Sequence, residues 1–157
     1  MKLTDIVAEG AIVPALSSHE RDVVVAELID AIVKTGVVAP DIRNELVKLV
    51  LERERKGSTG FGKGVAVPHV KHPKISRMAA AVGVSQRGVD FNALDKQPVY
   101  SVILLLSPLD RPDEHLQAME VIFKSLTKET FRRFLRQATS VAEIRSLLEE
   151  ADGAQLT

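Results

Sequence analysis

One stretch of the chain gathers the residue types that handle phosphate: Gly57-Ser-Thr-Gly-Phe-Gly-Lys-Gly-Val-Ala-Val-Pro-His69. Four of the nine glycines fall between Gly57 and Gly64, so the backbone there can take angles closed to other residues and bring its N–H groups close to an anion. Val65-Ala-Val67 reads as a short strand, and Pro68 stops it with His69 at its mouth. A glycine-rich loop meeting an imidazole suggests phosphoryl chemistry on His69, because neutral imidazole is nucleophilic near physiological pH and its phosphoramidate remains a good donor. Such transfer asks the protein for positioning and for charge on the equatorial oxygens. That marks Ser58, Thr59 and Gly60 as the phosphate-supporting groups.

Two other glycine motifs compete for the stretch and fail. Gly57 to Lys63 opens like a P-loop, but Gly64 stands where a magnesium-binding hydroxyl is required. A dinucleotide fingerprint needs a strand before the glycines and a helix after them, and here the order is reversed. A plain connector with a structural histidine stays open as a reading of the residues alone.

The string Arg53-Glu54-x-x-Gly57-Ser58-Thr59-Gly60-x-Gly62-x-Gly64-Val65-Ala66-Val67-Pro68-His69 resembles the active-site signature of enzyme IIA domains of the fructose/mannitol class of the bacterial phosphotransferase system, nitrogen-regulatory branch included. The resemblance covers most of the chain. It implies a phosphotransferase in which His69 accepts a phosphoryl group from a phosphohistidine carrier protein and passes it to a cysteine of a separate enzyme IIB, with no cofactor and no metal. For the regulatory branch it implies instead that the phosphorylation state of His69 alters binding to regulated target proteins, without sugar transport. A small-molecule binding domain with no phosphoryl chemistry is a third reading. The resemblance also assigns roles to Arg53, whose guanidinium can hold two phosphate oxygens, and to His115, 46 residues after His69 at a helix start. A solvated helix end and an ordinary surface histidine are the respective alternatives. Both residues stand in polar surroundings, so neither is expected to matter to the fold. One position departs from the family: the usually small residue after the histidine is Val70, expected to narrow a partner's approach to His69.

His69 and His72 could pair on a metal only if helical, which Pro68 and Pro73 oppose, and no acid or cysteine completes a nearby set. His72 is expected to be dispensable for phosphorylation, and His19 to lie on the surface. With 157 residues the chain is expected to form one domain, 1–157. The absence of cysteine excludes disulfides, thiolate metal sites and a catalytic thiol, and suits a cytoplasmic location. Basic and acidic residues balance at 21 each, which gives no electrostatic footprint for nucleic acid or anionic membrane. No apolar run is long enough to insert into a bilayer.

The elements that must position these residues follow from periodicity. Leu3 to Val7 can make a helical turn, and Ala11-Ile-Val13 a short strand. A Ser17…Glu20 capping box opens a helix that Gly36 ends, and Pro40 opens a second helix running to Lys56, which delivers Arg53 and Glu54 to the glycine loop. Met78 to Val84 and Val99 to Leu106 read as central strands, separated by turn material at Gln86-Arg-Gly88 and Asp95-Lys-Gln-Pro98. The second run is apolar almost throughout, as in a strand covered on both faces. Asp110 can cap a helix through Leu126. Helices over Glu129 to Gln137 and, after a Ser140…Glu143 box, Val141 to Ala151 complete the pattern. The alternation predicts an α/β single-domain layered sandwich with a central mixed β-sheet flanked by helices.

Overall fold

Side chains alternate across a strand, so two neighbouring strands that carry apolar residues on both faces must be covered on both sides. This is the situation of β5 (Ala79–Val89) and β6 (Val99–Pro108), an antiparallel pair at the centre of the sheet. In the computed structural model, which describes residues 1–155, Ala79, Ala81, Val102, Leu104 and Leu106 pack against one layer of helices. That layer is α2 (Arg21–Lys34) and α3 (Arg43–Lys56), the latter preceded by a 3-10 turn at Pro40–Ile42. Ala80, Val82, Val84, Ile103 and Leu105 face the opposite layer. There α4 (Pro112–Leu126), α5 (Glu129–Gln137) and α6 (Val141–Gln155) close the second core, joined by the single turn α1 (Leu3–Ile6). The predicted sandwich with a mixed sheet between helices is therefore the observed one.

The sheet runs β1-β5-β6-β3-β2, where β1 is Val7–Val13, β2 Gly60–Gly62 and β3 Val65–Ala66. The strand β4 (His69–His72) follows β3 along the same edge of β6, both parallel to it. Pro68 explains the break between them. It has no N–H to give the ladder, though its carbonyl still accepts Leu105 N at 3.0 Å. The interruption starts β4 on His69, in register with Leu105.

Several element boundaries differ from the sequence expectation. Gln86-Arg-Gly88 lies inside β5, where the register slips between Val84 and Val89. An irregularity of this kind carries the same residues as a turn without ending the strand. Helix α2 begins at Arg21 with Glu20 as its cap residue. Ser17 instead holds Glu27 Oε1 through both its N–H and its hydroxyl, at 3.0 Å each. At α4 the cap position is Arg111 and not Asp110. Ser140 Oγ does accept Glu143 N at 3.1 Å, but the Glu143 carboxylate reaches back to Thr139.

Asp152 ties the two ends of the described chain together. Its buried carboxylate accepts Leu3 N at 2.6 Å, Thr4 N at 3.1 Å and the Thr4 hydroxyl at 2.7 Å, so it caps α1 from another helix. Removing it strands buried donors, and Asp152→Ala is expected to lower unfolding free energy by about 3 kcal/mol. A denaturant midpoint measures this; a change under about 1 kcal/mol would make the capping contacts incidental. Among the described residues no helix is long and apolar enough to cross a membrane.

Candidate functional site

His69 opens β4 on the face of the sheet that α4 covers, and its side chain is half-buried. Its Nδ1 lies 2.8 Å from the carbonyl of Val67. A carbonyl can only accept, so Nδ1 carries a proton, and in the neutral ring Nε2 keeps its lone pair, the form a nucleophilic imidazole needs. Backbone geometry fixes the partner, because Val67 and Pro68 are locked into the gap between two strands.

His115 stands beside it, with ring centroids 5.6 Å apart and planes tilted by 49°. It is not a surface residue in polar surroundings. It is 6 % exposed, and its Nδ1 pairs at 2.7 Å with the hydroxyl of fully buried Ser107. Burial holds its pKa below the ordinary histidine value, and the neighbouring His69 and Lys71 push the same way. A neutral ring is the result.

Sequence reading did not single out Lys71 or Ser107. Lys71 is two residues after His69 on the same strand, so both point to one face, and it is in register with Ser107. The period-two spacing after His69 was the available signal for Lys71. For Ser107 the signal was a polar residue directly after the apolar run Val102 to Leu106.

The loop braces itself where an open anion cradle was expected. Glu54, 3 % exposed at the end of α3, accepts Thr59 N at 3.1 Å and the Thr59 hydroxyl. Ser58 Oγ donates to Phe91 O at 2.9 Å and accepts Gly60 N at 3.0 Å. The hydroxyls of Ser58 and Thr59 and the amide of Gly60 are thus engaged within the protein and do not face a phosphoryl group. At Gly60 the glycine answers to space, since a Cβ there would stand 2.9 Å from that of Ala93. Exposed Arg53 donates to Gly57 O at 2.7 Å, so one arm of the guanidinium steadies the loop.

Strand alternation separates the remaining residues. Val70 packs into the α2/α3 core, away from the face His69 occupies, so it does not narrow the approach to that imidazole. His72 is turned the same way and is 3 % exposed. Its Nδ1 accepts Lys74 N at 3.0 Å while Nε2 lies 3.3 Å from Glu45 Oε2. Both nitrogens are engaged, and His69 and His72 cannot converge on one ion. His72→Ala is expected to cost about 2 kcal/mol of stability while leaving phosphorylation of the folded protein within about twofold. Loss of labelling in a folded variant would contradict this assignment.

Residues 5–151 match the family model described as Phosphoenolpyruvate-dependent sugar phosphotransferase system, EIIA 2. A nitrogen regulatory protein of Bradyrhizobium diazoefficiens is 33% identical over 94% of this chain and 95% of its own length. A PTS system fructose-specific EIIABC component of Bacillus subtilis is 30% identical over 97% of this chain, which spans only 24% of that longer relative. Among solved structures, nitrogen regulatory protein IIA-Ntr from Neisseria meningitidis superimposes with a TM-score of 0.83 at 25% identity, covering 93% of this chain and 98% of that one.

Proposed function

The chain belongs to the phosphoenolpyruvate-dependent sugar phosphotransferase system EIIA 2 family, and from that premise we propose that it is a phosphoryl carrier whose acceptor atom is His69 Nε2. The observation that carries the reading is the proton held on Nδ1 by the Val67 carbonyl beside a second, neutral imidazole.

In the step proposed, the Nε2 lone pair attacks the phosphorus of a phosphohistidine carrier protein. The new P–N bond forms as the old one breaks, and the donor imidazole takes back its electron pair. The accepting ring becomes positive, and its Nδ1–H still donates to the Val67 carbonyl, which stabilises that charge. His115 supplies a neutral donor: with the Ser107 hydroxyl donating to Nδ1, the remaining ring proton sits on Nε2 for a phosphoryl oxygen. Lys71 and the second arm of Arg53 add positive charge where the transferring group becomes most negative. Ser58, Thr59 and Gly60 support the phosphate indirectly, by fixing the loop that holds Val67. For onward transfer, the thiolate of an enzyme IIB cysteine attacks phosphorus and the neutral imidazole leaves.

A regulatory reading has its own support, since the relative matched along nearly its whole length is a nitrogen regulatory protein. In that reading His69 carries the same group, and its presence changes which target proteins bind. Incubation with phosphoenolpyruvate and the relay proteins, followed by intact mass, tests the shared step, with one acid-labile phosphoryl group expected. Adding an enzyme IIB separates the readings: loss of the label to its cysteine supports transfer, and retention supports regulation.

A further inference from the structure

The charge of this neutral chain is unevenly distributed. Lys63, Arg132, Arg133 and Arg136 ring a recess of about 530 Å³ between the β2–β3 turn and α5, and an adjoining recess of about 300 Å³ shares Lys63, Arg132 and Arg136. Two acids border these recesses, Glu129 and Asp95. The Asp95 carboxylate already accepts Lys63 N at 3.2 Å and Gln97 N at 3.1 Å. Among the described residues none of the four cations is ion-paired with a carboxylate.

Two of the cations are also held in place. Arg132 Nη1 donates to Leu126 O at 2.8 Å, and the Arg136 guanidinium stacks 3.5 Å above the Tyr100 ring. Lys63 takes a left-handed backbone angle, φ 60°, between two glycines that take the same region without penalty. A side chain kept at such a position is under backbone strain. Fixed, unpaired guanidinium groups around a concavity are what bidentate recognition of phosphate requires, because little conformational freedom is lost on binding.

We infer that this recess is a binding site for a small organic molecule carrying a diphosphate, of nucleoside diphosphate size. The volume falls within the range of about 300 to 1,000 Å³ usual for ligand sites. Four cations match the charge of a diphosphate better than that of a single phosphate, and the amides of Gln86 and Gln137 on the rim can hydrogen-bond an uncharged remainder. The site is separate from the imidazole pair. Tyr100 and Leu105, the strand partner of His69, stand five positions apart on β6, roughly 17 Å at strand spacing.

Calorimetric titration of the full chain with inorganic phosphate, inorganic pyrophosphate and ADP, at constant ionic strength, tests the inference. ADP is expected to bind most tightly, pyrophosphate next, and phosphate at least about tenfold more weakly than ADP. Arg136→Gln and exposed Lys63→Gln should each weaken ADP binding about tenfold with an unchanged thermal midpoint. Lys63→Gln serves if loss of the Tyr100 stack unfolds the other variant. His69→Ala should bind ADP as the native chain does, so the result is independent of the phosphoryl-carrier reading. Equal affinity for phosphate and ADP, or no change in folded variants, would overturn the site. Pyrophosphate binding as tightly as ADP would restrict it to a bare diphosphate and overturn the organic part of the inference. A poly-glutamate peptide that outcompetes ADP would make the patch a protein-docking surface and overturn it as well.

Discussion

His69→Ala is expected to abolish uptake of phosphoryl groups from a phosphohistidine carrier protein, while the native chain takes up one that acid removes. The expectation is total loss because neither neighbouring imidazole can substitute. Both nitrogens of His72 are occupied on the far side of the strand. One nitrogen of His115 is paired with Ser107, and the ring is enclosed. His69 is half-buried, so the alanine variant should remain folded, which a denaturant midpoint would verify. Intact mass and acid lability read the result. A label that persists in the folded variant, or one that survives acid, would remove His69 from the centre of the mechanism.

His115→Ala is expected to slow phosphorylation on the order of a hundred- to a thousand-fold, the usual loss for a well-placed donor to a transferring group. Unlike a surface substitution, it should also destabilise the protein by about 2 kcal/mol, because it leaves the buried Ser107 hydroxyl without its partner. The two effects separate by pH. The folded-state pKa of His115 is depressed, so between that value and about 6.5 the unfolded chain binds the extra proton. Its contribution to stability is therefore full above about pH 6.5 and declines as pH falls towards the folded-state value. The native protein should lose stability through that window, and His115→Ala should lose less. Equal pH slopes, or a phosphorylation rate unchanged in the folded variant, would refute the paired-imidazole site.

What was legible in the sequence is what depends on near neighbours. The run from Val99 to Leu106 read as a strand covered on both faces, and the helical spacing between the Ser17…Glu20 box and Gly36 as a helix, which forms over Arg21–Lys34. The place of His69 beside a strand end was legible for the same reason, since Pro68 interrupts the ladder just before it. Side-chain environments were not. His115 follows two acids at a helix start, as a solvated histidine would, and its burial arises only when α4 lies across β6 at Ser107. The hydroxyls of Ser58 and Thr59 suit a phosphate in isolation. Glu54 and Phe91 claim them through contacts that periodicity does not encode. At Gln86-Arg-Gly88, turn-forming residues are absorbed by a slip in register, which local composition cannot distinguish from a turn.

The bond network at Asp152 has a consequence for the order in which the molecule assembles. It joins residues 149 and 148 positions apart, and a helix of four residues does not persist without its dock. Closing so long a loop is unfavourable until the intervening sheet and helices have already brought the ends near each other. The first helix is then a late-forming latch, added to a nearly complete molecule and the first part to release. The amide protons of Leu3 and Thr4 should accordingly exchange with solvent through an opening of lower free energy than those of β6, and carry β1 with them only when the whole sheet gives way.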